Sequence, residues 1–333
     1  MPTVAIVAVP ETAGSALYGM VDVLSATGNV WETLVRSEIQ RQVFDVRIVA
    51  PTAAPFRCGH GVPVTPDVGV DDDPVADIVI VPELWLGPDE DVHDRYPALL
   101  DWIRRRHDGG AYLYSACSGA LMLAATGLLD GCDATSHWGY RDLFRTRYPK
   151  VRFRPEPVLA FADRHGRIVT AGGTTSWHDL ALHVIARHAG PGEALRIAKV
   201  YLLKLHTEGQ LPYQALVRHT PTADAAVRAA LDHLERHHRD QGALAGAVAR
   251  AGLAERTLKR RFRAATGTTL IEHLQALRVE EAKRLLEAGG LPVDEISHAV
   301  GYEDASFFRR LFKRLVGLTP SEYRRMFGGV GAA

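Results

Sequence analysis

Cysteine is scarce in this chain of 333 residues, which contains three. Cys58, Cys117 and Cys132 make an odd number, and their spacing matches no zinc-binding pattern. The sequence therefore predicts neither a disulfide framework nor a metal centre, and no cofactor is implied.

The sequence also lacks a hydrophobic run long enough to span a membrane, and no basic segment precedes an apolar one at the N-terminus. We therefore expect a cytoplasmic protein with no membrane partner. Net charge is absent too, since 39 Lys and Arg balance 39 Asp and Glu. From residue 224 onward, however, 18 basic residues face 14 acidic ones, and subtraction leaves 21 against 25 before it. The C-terminal third is thus suited to an anionic partner.

The first two hundred residues alternate between strand and helix patterns. Continuous apolar runs, typical of buried parallel strands, occur at 3–9, 77–81 and 112–114. Helical patterns occur at 16–24, 99–106, 119–125, 179–188 and 193–205. This alternation indicates an α/β sheet covered on both faces.

A stretch at 209–222 is rich in turn-forming residues and lacks periodicity, which is typical of a linker. Every later segment has a helical pattern. We therefore predict an α/β domain at 1–208, a linker at 209–222 and an all-α domain at 223–333.

Cys117 follows the predicted strand 111–115 and precedes the helical run 120–125. A reactive side chain on such a tight strand-to-helix turn forms a nucleophile elbow. The nearby helix N-terminus favours a thiolate, so we expect Cys117 to have a lowered pKa and to react faster than Cys58 and Cys132. His137 is the candidate neighbour. The alternative is a small buried cysteine that only packs.

The blocks 112–138, 170–175 and 179–182 resemble the ThiJ/PfpI family of class I glutamine-amidotransferase-like domains, in the form found in GlxA-type regulators. The resemblance covers nearly the whole first domain. It implies a flavodoxin-like, doubly wound parallel sheet, in which Cys117 is the elbow cysteine and His137 its neighbouring histidine.

Three departures from the family pattern concern catalysis. Ala16 stands where the family's enzymes carry a helix carboxylate that bonds the cysteine sulfur. Glu83 replaces a glycine of the turn beside the elbow, and Ser118, rather than histidine, follows the cysteine. No competent acid–base pair is visible. We interpret the site as a ligand pocket or thiol sensor made of Cys117, Ser118, Glu83 and His137, with Cys117-dependent catalysis as the alternative.

A helix-turn-helix is predicted near the C-terminus. The short helix 293–300 is followed by a turn at Gly301 and Tyr302, and Asp304 can cap the next helix. The apolar face of that helix contains Phe308, Leu311, Phe312 and Leu315. Its basic face contains Arg309, Arg310, Lys313 and Arg314. A solvated cationic face on an ordinary helix is the alternative.

The segment 244–263 repeats this design. When Phe262 is aligned with Phe312, Leu258 falls on the buried Phe308. The matched outward positions are Arg256 with Ser306, Lys259 with Arg309 and Arg260 with Arg310. The repeat favours nucleic-acid binding. A long helix at 270–287 is expected to hold the units apart, and residues 319–322 form a capping box.

The second domain resembles the AraC/XylS DNA-binding module. The resemblance rests on residues 252–253, 256–258, 260–262, 265–267, 278, 281–282, 296, 300–302, 308–309, 312–313, 317, 319–320 and 323–324. It implies two recognition helices that enter successive major-groove segments, roughly 34 Å apart. Ala254 stands where the family usually has serine, which weakens one helix cap.

Basic and hydroxyl side chains on the two predicted recognition helices are the candidate DNA contacts. They are Arg256, Thr257, Lys259, Arg260, Arg263, Ser306, Arg309, Arg310, Lys313 and Arg314. The side chains long enough to reach base edges are Arg256, Arg260, Arg309 and Arg310, and the fork of an arginine suits guanine. Those suited to neutralising phosphates are Lys259, Arg263, Lys313 and Arg314, and Ser306 can bond either. For each residue, a surface charge that touches nothing is the alternative.

The sequence therefore predicts a sequence-specific DNA-binding transcription regulator, whose first domain senses a small molecule or redox state, or dimerises. The expected partners are double-stranded DNA, an unidentified small-molecule effector, a second copy of the chain and, for an activator, RNA polymerase. The alternative is a Cys117-dependent hydrolase or hydratase-like enzyme carrying a DNA-binding tail.

Overall fold

The computed structural model describes residues 1–35, 42–87, 90, 92–216 and 222–328. The chain divides into two units, Met1–Gln210 and Leu211–Ala333. Gly209 and Gln210, the first residues of the predicted linker, therefore belong to the first unit. Part of that linker, 217–221, lies outside the described residues.

Eleven strands are described in the first unit. They are β1 (Thr3–Val7), β2 (Asp45–Ala50), β3 (Phe56–Cys58), β4 (Val62–Val64), β5 (Val68–Gly69), β6 (Ile78–Val81), β7 (Tyr112–Ala116), β8 (Asp133–Ala134), β9 (Arg152–Phe153), β10 (Leu159–Phe161) and β11 (Ile168–Ala171). Seven form one sheet in the order β10-β11-β7-β6-β1-β2-β5. Its neighbours pair in parallel, except that β10 is antiparallel to β11.

Helices cover both faces of this sheet. They are α1 (Gly14–Ser25), α2 (Val30–Val35), α3 (Pro97–Asp108), α4 (Gly119–Ala125), α5 (Arg141–Arg147), α6 (Trp177–His188) and α7 (Pro191–Tyr201). The last ends four residues before the predicted limit, because Leu202 adopts a left-handed conformation with φ of 55°. The predicted doubly wound α/β fold is confirmed.

Successive side chains of the central strands enter two different cores. In β1, Val4 and Ile6 pack with α1 and α6, whereas Ala5 and Val7 pack with α3 and α4. A strand alternates its side chains between the sheet faces, so a strand buried on both faces must be apolar throughout. Burying a Val or Ile side chain fully, rather than leaving it exposed, stabilises the fold by about 1.5–3 kcal/mol.

The second unit is helical, with seven α-helices among its described residues. They are α8 (Ala225–His237), α9 (Ala243–Ala251), α10 (Glu255–Thr266), α11 (Leu270–Ala288), α12 (Val293–Ala299), α13 (Ala305–Val316) and α14 (Pro320–Phe327). Phe262 lies in the core of the first repeat unit and Phe312 in that of the second, as their alignment predicts. Leu315 was expected in the buried stripe of α13 but is 37% exposed, and Val316 is buried instead.

Candidate functional site

Three neighbouring parallel strands, β6, β7 and β11, end at the edge of the sheet where the cysteine elbow lies. Glu83 lies two residues beyond β6, Cys117 directly follows β7, and Thr174 lies three residues beyond β11. These strands are adjacent in the sheet, so their carboxyl ends bring the three side chains together. Ligands of open α/β sheets bind at this edge.

The backbone of Cys117 is held in a left-handed conformation, with φ of 52°. Its N–H donates to the Ala171 carbonyl at 3.0 Å, and its own carbonyl accepts from the Ser136 hydroxyl at 2.7 Å. Gly119 permits the tight turn, because a Cβ at this position would lie 2.3 Å from the Val81 carbonyl oxygen. Strain of this kind costs on the order of 1–3 kcal/mol and is typical of functional sites.

The carboxyl group of Glu83 lies beside the thiol. Its Oε1 accepts hydrogen bonds from Thr174 Oγ1 at 2.9 Å and from Cys117 Sγ at 3.5 Å. Its Oε2 is buried and has no hydrogen-bond partner among the described residues. Burial raises the pKa of Glu83, and the bonds from Thr174 and Cys117 oppose that rise.

The expected lowered pKa of Cys117 is wrong. Burial raises the pKa of this thiol well above its usual value, and the charge of Glu83 raises it further. The backbone N–H of Ser118 acts in the opposite direction, as the helix N-terminus predicts, but its effect is smaller. The thiol is therefore protonated at neutral pH.

The other predicted residues of this site have different positions. Ser118 is fully buried, and its hydroxyl donates to the Leu84 carbonyl at 2.5 Å while accepting from the Leu84 N–H at 2.7 Å. It therefore fixes the loop after β6. His137 accepts the Gly139 N–H on Nδ1 at 3.1 Å, so its neutral form carries its proton on Nε2. Burial lowers the pKa of His137, and the described residues include no hydrogen bond between it and Cys117.

A cavity of about 280 Å³ opens beside the thiol. Its lining residues are Glu83, Leu84, Trp85, Leu86, Cys117, His137, Gly139, Tyr140 and Thr174. Apolar and aromatic walls with a few polar groups are the usual composition of a small-molecule site. The Tyr140 hydroxyl donates to the Leu86 carbonyl at 2.8 Å, and burial raises the pKa of Tyr140 to about 12.

The sequence prediction includes Glu83 but gives no role to Thr174. Glu83 is predicted as a pocket residue that replaces a glycine, but its carboxyl contact with the thiol, which Ala16 cannot make, is not predicted. Ala16 itself is fully buried in α1. The missing signal was strand adjacency: side chains that follow neighbouring strands meet at the same sheet edge, wherever they lie in the sequence.

The second candidate site is the outward face of α10 and α13. Exposed side chains there are Arg256, Lys259, Arg260 and Arg263 on α10, and Ser306, Arg309, Arg310, Lys313 and Arg314 on α13. Thr257, also predicted to contact DNA, is half-buried. Asp304 caps α13 through the N–H groups of Ser306 and Phe307, as predicted, whereas α10 has no side-chain cap because Ala254 occupies that position.

The two repeat units pair the same helix position with a carboxylate, although the partner lies in α10 itself in the first unit and in α12 in the second. Lys259 pairs with Glu255, and the equivalent Arg309 pairs with Asp294. Arg260 and the equivalent Arg310 form no ion pair with the described residues. At this matched position of its exposed helix, each unit therefore has an arginine without an ion pair to the described residues.

Family models match both units. The DJ-1/PfpI family model matches residues 26–187, and a helix-turn-helix domain model matches residues 247–326. The latter match covers both α10 and α13.

Three named relatives match this chain over different lengths. The HTH-type transcriptional regulator CdhR of Pseudomonas aeruginosa is 26% identical over 291 residues, which are 87% of this chain and 84% of that protein. The HTH-type transcriptional regulator GlxA of Rhizobium meliloti is 31% identical over 230 residues, 68% of this chain and 69% of that protein. Isonitrile hydratase of Pseudomonas putida is 32% identical over 173 residues, 51% of this chain and 68% of that protein.

Solved structures resemble the first unit. Drosophila melanogaster DJ-1beta matches with a TM-score of 0.50 and 17% identity over 61% of this chain and 99% of that chain. This likeness shows a common fold.

Proposed function

Because the chain belongs to the family of GlxA-type transcriptional regulators, which join a DJ-1/PfpI domain to an AraC-type helix-turn-helix domain, we propose that it binds specific duplex DNA under the control of a small effector. One observation carries the proposal: Arg260 and Arg310 lie at equivalent positions of two exposed helices and form no ion pair with the described residues.

Each of these arginines can bond the O6 and N7 atoms of a guanine in the major groove. Such a bidentate contact contributes about 1–3 kcal/mol of discrimination between bases. Lys259 and Arg309 are paired with carboxylates, which leaves them less free than Arg260 and Arg310 to form a bidentate bond with a base. We assign them to the phosphate backbone, which they reach when those pairs open.

The test begins with a duplex selected from random sequences by the full-length protein. We expect Arg260→Ala and Arg310→Ala each to weaken binding to this duplex by about 1–3 kcal/mol and to relax discrimination at one base pair. Lys259→Ala and Arg309→Ala are the matched controls, and they should weaken specific and random DNA alike. Equal losses for all four variants on both duplexes would contradict the assignment, and a wild-type protein that selects no sequence would contradict the function.

The cavity beside Cys117 supports an effector site. The Glu83 carboxyl lacks a hydrogen-bond partner for Oε2 among the described residues, and a small ligand with a polar group can supply one. The effector should raise the melting temperature of the wild-type protein and change its affinity for the selected duplex. Leu86→Trp, which fills the cavity, should abolish both effects without preventing DNA binding.

The family also suggests partners for the whole chain. We propose a homodimer formed through the α/β domain, because two copies double the number of DNA contacts. Sedimentation velocity at micromolar concentration should show the dimer, and a monomer with undiminished operator affinity would contradict it. RNA polymerase is the further partner if the protein activates transcription. We propose a cytoplasmic location on the basis of the DNA-binding function. No helix among the described residues is both long and apolar enough to cross a membrane.

A second candidate function is catalysis by Cys117. The 3.5 Å contact between Cys117 Sγ and Glu83 Oε1 favours it, as does the similarity to isonitrile hydratase. The raised pKa values of the thiol and the carboxyl argue against a resting thiolate nucleophile. Turnover of an isocyanide, amide or aldehyde by the wild-type protein, absent in Cys117→Ser, would establish the enzyme.

A further inference from the structure

Gln210 is a polar residue buried at the end of the first unit. Its side chain is only 4% exposed, and the second unit begins at the next residue, Leu211. Burying an amide is costly unless its donors and acceptor are bonded. The bonds of Gln210 therefore show what this position does.

The Gln210 side chain joins three segments of the first unit. Its Oε1 accepts the Gly173 N–H at 2.7 Å. Its Nε2 lies within hydrogen-bond distance of Thr135 Oγ1 at 3.0 Å, the Ser136 carbonyl at 3.2 Å and the Pro157 carbonyl at 2.9 Å. Both donors and the acceptor of the amide are thus engaged.

Two of these segments, those containing Ser136 and Gly173, reach the cavity beside Cys117. Ser136 donates its hydroxyl to the Cys117 carbonyl and directly precedes His137, a lining residue. Gly173 directly precedes Thr174, which lines the cavity and bonds Glu83. A ligand that moves either His137 or Thr174 therefore acts on residues bonded to Gln210.

The fit around the amide leaves little room for independent movement. A Cβ at Gly172 would lie 2.2 Å from the amide carbon of Gln210. The backbone N–H of Gln210 is also fixed, since it donates to the Glu156 carbonyl at 2.9 Å. A shift of the loops must therefore shift the amide and the backbone that carries it.

We propose that Gln210 is a positioning residue that couples the occupancy of the Cys117 cavity to the chain segment leading into the DNA-binding unit. The proposal rests on the effector and DNA-binding functions proposed above. Coupling between two sites is reciprocal, so bound DNA must also change the state of the cavity loops. This reciprocity allows a test without the effector.

The test is hydrogen–deuterium exchange of the full-length protein with and without the selected duplex DNA. In the wild type, the duplex should change exchange in peptides covering 134–140 and 170–176 by about fivefold or more, the lower end of typical couplings. Gln210→Met keeps the length of the side chain but removes its hydrogen bonds. It should lose the response while its affinity for the duplex stays within about twofold of wild type.

Two further variants separate coupling from folding. Thr135→Val removes a single bond to the Gln210 amide and should reduce the response in part, even if Gln210→Met fails to fold. Gln42→Met, at an exposed position of the same unit, should respond like wild type. A wild-type response below about twofold, or a full response in both Gln210→Met and Thr135→Val, would overturn the coupling. A wild-type protein that binds no specific DNA would overturn the proposed function first, and the coupling with it.

Discussion

Cys117 and Glu83 are two acids buried side by side, with 3.5 Å between Sγ and Oε1. Each is harder to ionise because burial disfavours its charged form, and the charge of Glu83 adds to the effect on the thiol. The ionisation of one group therefore affects the ionisation of the other. A molecule that enters the cavity and bonds Glu83 should also change the pKa of the thiol.

Glu83→Gln should make Cys117 more reactive. Glutamine is nearly the same size as glutamate but carries no negative charge, so it removes one cause of the raised thiol pKa. We expect alkylation by iodoacetamide at pH 8 to be about threefold faster or more. Mass spectrometry can follow each cysteine separately, and the rate at Cys132 serves as the internal control. An unchanged or lower rate at Cys117 would show that the carboxyl is already neutral.

We expect His188 to make the stability of the first unit depend on pH. Its Nε2 lies 3.0 Å from the Tyr114 hydroxyl, and burial, Arg187 and His183 lower its pKa from 6.5 to about 4. The folded state therefore binds this proton less tightly than the unfolded state does. The stability contributed by neutral His188 is fully present above about pH 6.5 and is lost as the pH falls towards 4.

His188→Gln should flatten this pH dependence, because glutamine keeps a hydrogen-bonding group but does not titrate. Chemical denaturation at several pH values between 4 and 7 measures the effect. His165→Gln, at an exposed position, should keep the wild-type slope. If His188→Gln also keeps that slope, another group is responsible.

At the level of single residues, the sequence predicts positions better than protonation. The elbow at Cys117 follows from the strand-to-helix order of its neighbours, and the structure places it there. Its pKa does not follow, because burial outweighs the helix N-terminus and because Glu83 comes from a distant part of the sequence. The order of strand and helix in the sequence fixes the turn. The pairing of β6 with β7 brings Glu83 beside Cys117 and so affects the pKa of the thiol.

Helix α11 links the two repeat units at the scale of an element. Leu270 and Leu274 enter the first helical core, whereas Ala282 and Leu286 enter the second. Between them, Arg278 is buried and donates to the backbone carbonyls of His238, Asp240 and Gly301. One guanidinium therefore bonds the segment that follows α8 and the turn that follows α12.

Arg278→Met should destabilise the helical unit strongly. The change removes three charge-assisted hydrogen bonds, one of them to the carbonyl of the buried Gly301, at a cost of about 2–5 kcal/mol in the free energy of unfolding. Denaturation followed by circular dichroism measures it. Arg284→Met, which removes an exposed arginine from the same helix, should have a much smaller effect. Equal effects would show that the bonds of Arg278 contribute little.

Element boundaries were predictable where a capping side chain marks them. Thr319 and Glu322 form the expected capping box at the start of α14, and Asp304 caps α13. The end of α7 was not predictable, because its apolar pattern continues beyond Leu202 while the backbone turns left-handed at that residue. Leu315 likewise fits the helical period, but Val316 takes the buried position of the last turn.

At the scale of the whole molecule, the charges of the two parts have opposite signs. The 18 basic and 14 acidic residues from position 224 onward contrast with 21 and 25 before it. A protein that neutralises about five or more phosphates should show a log–log salt slope steeper than about −4. Some of its cations are already held by carboxylates, such as Arg309 by Asp294. The salt slope therefore depends on which ion pairs of the protein open when DNA binds, as well as on net charge.

Asp294→Asn tests this dependence. The substitution releases Arg309 from its ion pair and makes another cation available to phosphate. We expect binding to random duplex DNA to tighten and the salt slope to become steeper by up to about one unit, as one more counterion is released. Glu295→Gln is the matched control, since it makes the same change in net charge at the neighbouring exposed position of α12. Fluorescence anisotropy between about 50 and 200 mM salt covers the range in which phosphate contacts dominate affinity. If the two variants behave alike, net charge alone sets the slope, and the pairing of Arg309 with Asp294 has no part in DNA binding.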